Sequence, residues 1–285
     1  MEKEREAHSE IMKGISKNKG LYHLFMIPFS FGIYLILNHF ILRKYLFQII
    51  LFFKALNFPY INVYTAAATA VLLVLASLFL FSFLTGQLNK IRFDHSNLGK
   101  GMKLGWYVIL YSAVYLIVSY KDFSGYQTIS QILAAIIYYL LVAVTEEFVF
   151  RGLVQKNAIE YLKGKIQNSK KAAYSAILCS SLLFALAHLS NAGSVSDKAV
   201  LIQITGAFVY GILFGIITFK TGSLLSTVLL HFINDIASAY AVIIIKTGKT
   251  VADIINGYGV TELIAMIPVL FCGVWLYIHD TIYQE

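Results

Sequence analysis

The chain alternates between long apolar runs and short polar segments. A helix needs roughly 20 apolar residues to cross the hydrocarbon core of a bilayer. The pattern therefore predicts an all-α, polytopic membrane protein with about eight transmembrane helices. The predicted spans cover residues 21–42, 61–87, 106–120, 129–150, 173–189, 199–219, 222–245 and 260–279.

One further apolar piece is too short to be assigned in the same way. Tyr45–Leu56 is interrupted by Lys54, which favours an interfacial or re-entrant segment, with a ninth span as the alternative. The span at 106–120 is also short, so the helix count is open by one in either direction.

Composition excludes an ordinary soluble protein. The chain is 58% hydrophobic and only 13% charged over 285 residues, whereas soluble domains carry about 25% charged residues. We therefore expect a cytoplasmic polar tail at 1–20 and a single transmembrane domain at 21–285.

The net charge of +8 does not indicate nucleic-acid binding, because the basic residues lie in the tail and in loops rather than in one groove. With the N-terminus inside, sixteen of the 23 Lys and Arg residues fall on the inner side, including those at 88–105 and 151–172. Cytoplasmic segments carry an excess of Lys and Arg. The distribution predicts a multi-pass protein of the cell membrane with both termini in the cytoplasm.

A few ionisable side chains lie inside the predicted spans, where a charge costs about 2.5–3.5 kcal/mol on insertion scales. Several together are retained only if they pair and serve a function. They occupy the fourth, fifth and seventh spans, and are Glu146, Glu147, His188, His231 and Asp235.

Helical spacing relates these side chains to one another. Glu147 and Arg151 are four residues apart and can form an ion pair on one face. His231 and Asp235 have the same spacing, so the carboxylate can accept a hydrogen bond from one ring nitrogen and fix the tautomer. Glu146 projects about 100° away from Glu147, so the two acids need not share a target. A cavity between the three helices could gather Glu146 with both histidines and Asp235.

Such a cavity permits water activation. A glutamate in a cleft of low dielectric can act as a general base, and imidazoles can bind the oxyanion of a tetrahedral intermediate. Two His and a Glu are also a recognised catalytic zinc set. The residues leave open whether a divalent metal such as zinc takes part.

Three strings in this region resemble the motifs of the CAAX-protease and bacteriocin-processing (CPBP, Abi) family, EExxxR, FxxxH and HxxxN/D. Here they are TEEFVFRG, LLFALAHLS and HFIND, and they occur in the family's order over about Ile129 to Tyr240. No HExxH, GxGD or GxSG motif of another intramembrane protease class is present.

The resemblance implies an eight-helix intramembrane endopeptidase that acts on a membrane-associated peptide or protein, with its catalytic core at about 129–240. By this resemblance Glu146 would activate water, and His188 and His231 would bind the oxyanion or a metal. Asp235 would occupy a position that is Asn or Asp in the family, where a carboxylate repels an oxyanion unless it is protonated or paired. The supporting residues would be Glu147, Arg151 and Asn234.

Two other classes of function remain open at this point. The same scaffold could act without proteolysis, in bacteriocin immunity or in regulation of a partner. A transporter could relay protons through its buried acids and histidines, although clustering in one region disfavours a path across the membrane.

The predicted span ends place Glu146 and His188 toward opposite sides of the membrane. The two can meet only if the fourth helix continues past Arg151 toward Lys163, or if the fifth begins later than residue 173. The segment FVFRGLVQKNAIEYLKG is amphipathic enough to continue. We therefore expect Glu146 to lie in the middle of a long helix.

Overall fold

The computed structural model describes residues 2–55, 62–119 and 125–279, which form helices joined by short turns. Seven helices are long and apolar enough to cross a membrane, and an eighth span results if one bent pair of helices is counted as a single span. The predicted all-α, polytopic architecture is confirmed. The α-helices of these residues are α1 (Glu2–Leu37), α2 (Leu46–Ala55), α3 (Val63–Leu84), α4 (Leu98–Leu104), α5 (Trp106–Ser119), α6 (Ile129–Glu147), α7 (Lys156–Lys163), α8 (Ser169–Ala187), α9 (Asp197–Thr221), α10 (Leu225–Ile243), α11 (Val251–Asn256) and α12 (Val260–Ile278).

The polar tail and the first span share one continuous helix. The backbone of α1 is helical from Glu2, and the part apolar enough to span runs from Asn18 to Ile41, into a π-helical turn at Asn38–Lys44. Several sequence predictions fall outside the described residues. They concern the ends of predicted segments at Leu56, Ile61 and Tyr120, the outer-side Lys121, and the two chain termini at 1 and 280–285.

Over its described residues, helix α2 is too short to cross the membrane. Its ten residues give a length of about 15 Å, half of the ~30 Å hydrocarbon thickness. The structure therefore favours the interfacial or re-entrant prediction for this segment over a ninth span.

The third predicted span is broken. Helices α4 and α5 meet at Gly105 with a bend of 65°. A Cβ atom at Gly101 would collide with Ser226 of α10, and one at Gly105 would collide with Leu230, one turn further along α10. Two glycines four residues apart therefore let this bent pair pack directly against the helix that carries His231.

The fourth span is much longer than its apolar window. Helix α6, a π-helical segment at Phe148–Gln155 and α7 form one 35-residue span, Ile129–Lys163. At ~1.5 Å per residue it is about 50 Å long. The predicted continuation toward Lys163 is confirmed, and Glu146 lies in the middle of the span. Every residue of the π-helical segment is buried, because α1 and α8 pack against it.

Helices α8 and α9 pack closely through glycine. A Cβ atom at Gly211 would lie 3.0 Å from the Cβ of Ser181, and one at Gly215 would lie 2.8 Å from Cγ2 of Ile177. The Gly211–Gly215 motif thus provides the close helix–helix approach expected of GxxxG. It also exposes two backbone carbonyls to the π-helical segment, as described below.

Candidate active site

The most deeply buried part of the site is an ion pair at the junction of α6 and the π-helical segment. Arg151 Nη1 donates a 2.8 Å hydrogen bond to Oε1 of Glu147, and both side chains are almost entirely buried. The Arg151 guanidinium lies over the ring of Phe184, 4.6 Å from its centroid, and also contacts the ring of Phe214. Burial without a partner would be costly for either charge, so the pair explains why both residues are tolerated inside the helix bundle.

Glu147 also orients a histidine on another helix. Nδ1 of the buried His231 on α10 lies 2.9 Å from Oε1 of Glu147. A carboxylate paired with Arg151 accepts hydrogen bonds, so we assign the proton to Nδ1 of His231. The other ring nitrogen, Nε2, is then available for chemistry.

Glu146 approaches that second nitrogen. Its Oε2 lies 3.5 Å from Nε2 of His231, and its Oε1 accepts a 3.0 Å hydrogen bond from the hydroxyl of Tyr34 on α1. Unlike Glu147, the Glu146 side chain keeps part of its surface exposed (17%), so water can reach it. The two adjacent acids therefore approach opposite nitrogens of one imidazole, although they project in different directions from the helix.

Asp235 approaches the same nitrogen from within α10. Its Oδ2 lies 3.6 Å from Nε2 of His231, beyond hydrogen-bonding distance. The hydrogen bond that orients the ring thus comes from Glu147, and not from Asp235 as the four-residue spacing suggested. Asn234 lies beside Asp235, and both side chains border the cavity described below.

His188 is held at the end of α8 by its own helix. Its Nδ1 donates a 3.0 Å hydrogen bond to the backbone carbonyl of Phe184, since a carbonyl can only accept. The ring of Phe184 meets the rings of both histidines edge-on, with centroids 5.1 Å from His188 and 5.8 Å from His231. The phenylalanine of the FxxxH motif therefore packs between the two histidines and the arginine.

These side chains border a cavity of about 160 Å³, which we call the histidine cavity. His188, His231, Asn234 and Asp235 line it. Glu146 is not among its lining residues and is connected to it through the contact with His231. The rest of the wall comes mainly from elements without a sequence motif, and includes Tyr111 and Tyr115 of α5, Tyr210 of α9, Tyr258 before α12 and Glu262 of α12.

Two close contacts of the site have no signal in the sequence. Tyr34 lies 112 residues from Glu146 along the chain and is one of nineteen tyrosines. Phe214 packs against both His231 and Arg151 and is one of twenty-one phenylalanines. Its position directly before Gly215 of the GxxxG motif places it where α9 comes closest to the site.

The arrangement of donors does not match a metal centre. Among the described residues, no three His, Cys, Asp or Glu side chains are placed to hold one ion together. One nitrogen of His231 is bonded to Glu147, and one nitrogen of His188 to a backbone carbonyl. As the side chains stand, the site is a hydrogen-bonded acid–imidazole cluster.

Comparison with known families agrees with this geometry. Residues 128–237 match the family model described as type II CAAX prenyl endopeptidase, Rce1-like. The match over this segment supports a CAAX protease/CPBP family assignment. The matched segment contains all four residues predicted to be catalytic, and the matched family is one of intramembrane proteases. No curated protein and no solved structure matches the chain.

Proposed function

We propose that the protein is an intramembrane endopeptidase that hydrolyses a peptide bond of a membrane-associated peptide or protein, with water activated by Glu146. The proposal depends mainly on one observation. Two adjacent carboxylates approach the two nitrogens of His231, which lines a cavity together with His188. A purely structural ion pair would require only Glu147 and Arg151.

Glu146 is the better base of the two acids. Glu147 is fully buried and bonded to Arg151 and His231, whereas Glu146 is partly exposed and bonded only on its Oε1 side by Tyr34. In the proposed reaction the Glu146 carboxylate takes a proton from water, and the resulting hydroxide attacks the carbonyl carbon of the substrate. The tetrahedral oxyanion then collapses, Glu146 returns the proton to the leaving nitrogen, and the C–N bond breaks to give a carboxylic acid and an amine.

The histidines would stabilise the oxyanion from the cavity side. Because Nδ1 of His188 is bonded to Phe184, only its Nε2 can face a substrate, and it can donate only when the ring carries a second proton. The same holds for Nε2 of His231. Asp235 and Glu146 lie beside His231 and would pair with its imidazolium, since each carboxylate attracts a cation.

Asp235 is paired in this arrangement. Its contact with His231 offsets part of its negative charge, which reduces the repulsion that an unpaired carboxylate would exert on an oxyanion. We infer that Asp235 holds the protonated state of His231. No step of the proposed scheme passes through a metal, and no group of three such side chains among the described residues is placed to hold one ion.

The test compares Glu146→Gln with Glu160→Gln, a matched change at an exposed position on the same long span. Membrane peptides from cells carrying each variant are compared with wild type by mass spectrometry. We expect Glu146→Gln to eliminate the products and Glu160→Gln to leave them unchanged.

The same experiment tests the non-proteolytic alternative. A folded, membrane-inserted Glu146→Gln variant that keeps all products, or that keeps a bacteriocin-immunity phenotype in full, would show that the scaffold acts without hydrolysis by this site. Chelator treatment of the purified wild-type protein tests the metal alternative, and unchanged cleavage is expected.

A further inference from the structure

A second cavity lies at the other end of the π-helical segment. It has a volume of about 150 Å³ and is bordered by that segment, the short loop after α3 and the turn between α9 and α10. We call it the basic pocket, because its charged lining residues are Lys90, Arg92, Arg151 and Lys156. No acidic side chain is among the described residues that line it.

Two of these cations already have partners inside the protein. Arg151 is bonded to Glu147, and Arg92 lies 3.6 Å from Asp94. A hydrogen bond from the backbone N–H of Ser96 holds the pKa of Asp94 below its usual range, so Asp94 stays ionised and continues to pair with Arg92. The ammonium groups of Lys90 and Lys156 have no such carboxylate in the wall of the pocket, although Glu160 lies one turn after Lys156.

The walls of the basic pocket are fixed by backbone contacts. Ser223 donates its hydroxyl proton to the carbonyl of Asp94 (2.7 Å), and the N–H of Leu224 donates to the carbonyl of Arg92 (2.9 Å). These bonds attach the loop that carries Lys90 and Arg92 to the start of α10. The lysines therefore stand around a preformed opening and not on a free loop.

Neutral hydrogen-bonding groups complete the lining. Gln155, Thr218 and Ser223 all border the pocket, and Gln155 is held in place by a 3.0 Å hydrogen bond to the carbonyl of Gly215. Because Ser223, Gln155 and Thr218 are already bonded to Asp94, Gly215 and Thr227, the cations are the groups left to bind a phosphate oxygen through charge-assisted hydrogen bonds. Lysine in particular binds phosphate as a point charge.

We propose that the basic pocket binds a phosphate group, supplied either by a phospholipid headgroup or by a free phosphate. Basic pockets between transmembrane helices are places where anionic headgroups bind. Lys90, Arg92 and Lys156 come from the segments that the distribution of positive charge assigns to the cytoplasmic side, where anionic lipids are enriched. The inference does not depend on hydrolysis by Glu146.

The test uses the double variant Lys90→Gln/Lys156→Gln. Its matched control is Lys165→Gln/Lys171→Gln, which removes two exposed charges, one in the turn after α7 and one in the first turn of α8, without altering the pocket lining. Purified full-length protein in neutral detergent is titrated with phosphatidylglycerol, with diacylglycerol that lacks the phosphate, and with inorganic phosphate, and binding is measured by native mass spectrometry. The wild type and the control pair should bind phosphatidylglycerol, and the pocket variant should bind it about tenfold more weakly.

Competition between the ligands distinguishes the two sources of phosphate. Competition by millimolar inorganic phosphate would identify a free phosphate as a ligand, and lack of competition would identify the headgroup. Equal losses in both variants, undiminished binding by the pocket variant, or equal binding of diacylglycerol would overturn the proposal. The single variant Lys90→Gln, at an exposed position, repeats the test with the smallest risk to folding and should give a smaller loss in the same direction.

Discussion

The histidine cavity and the basic pocket are joined by the Glu147–Arg151 pair but differ in the charges that line them. Asp235 and Glu262 line the histidine cavity together with two imidazoles, and no Lys or Arg is among its described lining residues. The basic pocket has four cations and no described acid. The buried Glu147–Arg151 pair therefore lies between a cavity lined by acids and imidazoles and a pocket lined by Lys and Arg.

The reason lies in the spacing along one span. Glu147, Arg151 and Gln155 follow at intervals of four residues, so they succeed one another along one side of the long helix. Glu147 bonds to His231 of the histidine cavity, whereas Arg151 and Gln155 border the basic pocket. Arg151 and Gln155 also donate to the carbonyls of Gly211 and Gly215, which are likewise four residues apart on α9. A regular polar face inside a membrane bundle can thus serve two sites of opposite charge.

The largest effect is expected from His188→Ala, which alters the histidine cavity alone. Loss of an oxyanion donor should lower the turnover of a cleaved peptide by about 10²–10³-fold while phosphatidylglycerol binding stays unchanged. The measurements are peptide turnover and native mass spectrometry. The control is His279→Ala, because His279 repeats the local geometry of His188 by bonding the carbonyl of Trp275 and packing on its ring. Equal turnover by both variants would remove His188 from the mechanism.

The second-largest effect is expected for the ion pair that lies between the two cavities. Arg151→Met leaves the fully buried Glu147 without its cation, and we expect a loss of about 3–5 kcal/mol in the free energy of unfolding. It should impair both the hydrolysis and the phosphate binding. The measurement is unfolding in detergent.

The double variant Glu147→Gln/Arg151→Met serves as the control for that loss. It removes both charges, so it should be more stable than Arg151→Met alone. If Arg151→Met were as stable as wild type, burial of the Glu147 carboxylate without its cation would not cost the free energy that the geometry indicates.

A smaller effect is expected at the basic-pocket end. A Cβ atom at Gly215 would come within 2.8 Å of both Oε1 of Gln155 and Cγ2 of Ile177. Gly215→Ala should therefore separate α8 from α9 and destabilise the protein by about 1–3 kcal/mol. Gly32→Ala is the control, because nothing lies within 4 Å of its added Cβ and alanine favours a helix. Equal melting temperatures of the two variants would contradict the close contact.

The smallest effect is expected for the hydrogen bond that positions Glu146, the proposed base. Tyr34→Phe removes the hydrogen bond to Oε1 of Glu146, and a hydrogen bond to a charged group contributes roughly 1.5–3 kcal/mol. Loss of part of that interaction energy should lower the turnover about tenfold and change the free energy of unfolding only a little. Tyr22→Phe, on the same helix, removes a hydrogen bond to the carbonyl of Thr85 and should leave turnover intact. The comparison is made by steady-state kinetics of both variants.

Much of the fold follows from local pattern. Helix α12, Val260–Ile278, agrees with the predicted 260–279, and α9, Asp197–Thr221, encloses the predicted 199–219. The continuation of α6 through the π-helical segment was also predictable, because an amphipathic sequence follows Arg151. The break at Gly105 was not, since it depends on how closely α10 packs against that glycine.

The sequence by itself determined which residue types would be buried together. Acids and imidazoles inside apolar spans must find partners, so the membrane environment and four-residue spacings were enough to single out Glu146, Glu147, Arg151, His188, His231 and Asp235. Only the tertiary structure decided which partner each one has. Glu147 rather than Asp235 bonds to His231, Tyr34 bonds to Glu146, and lysines from separate loops surround one pocket. These contacts join residues far apart in the chain, and helical periodicity gives the direction of a side chain on its own helix but not the helix that it meets.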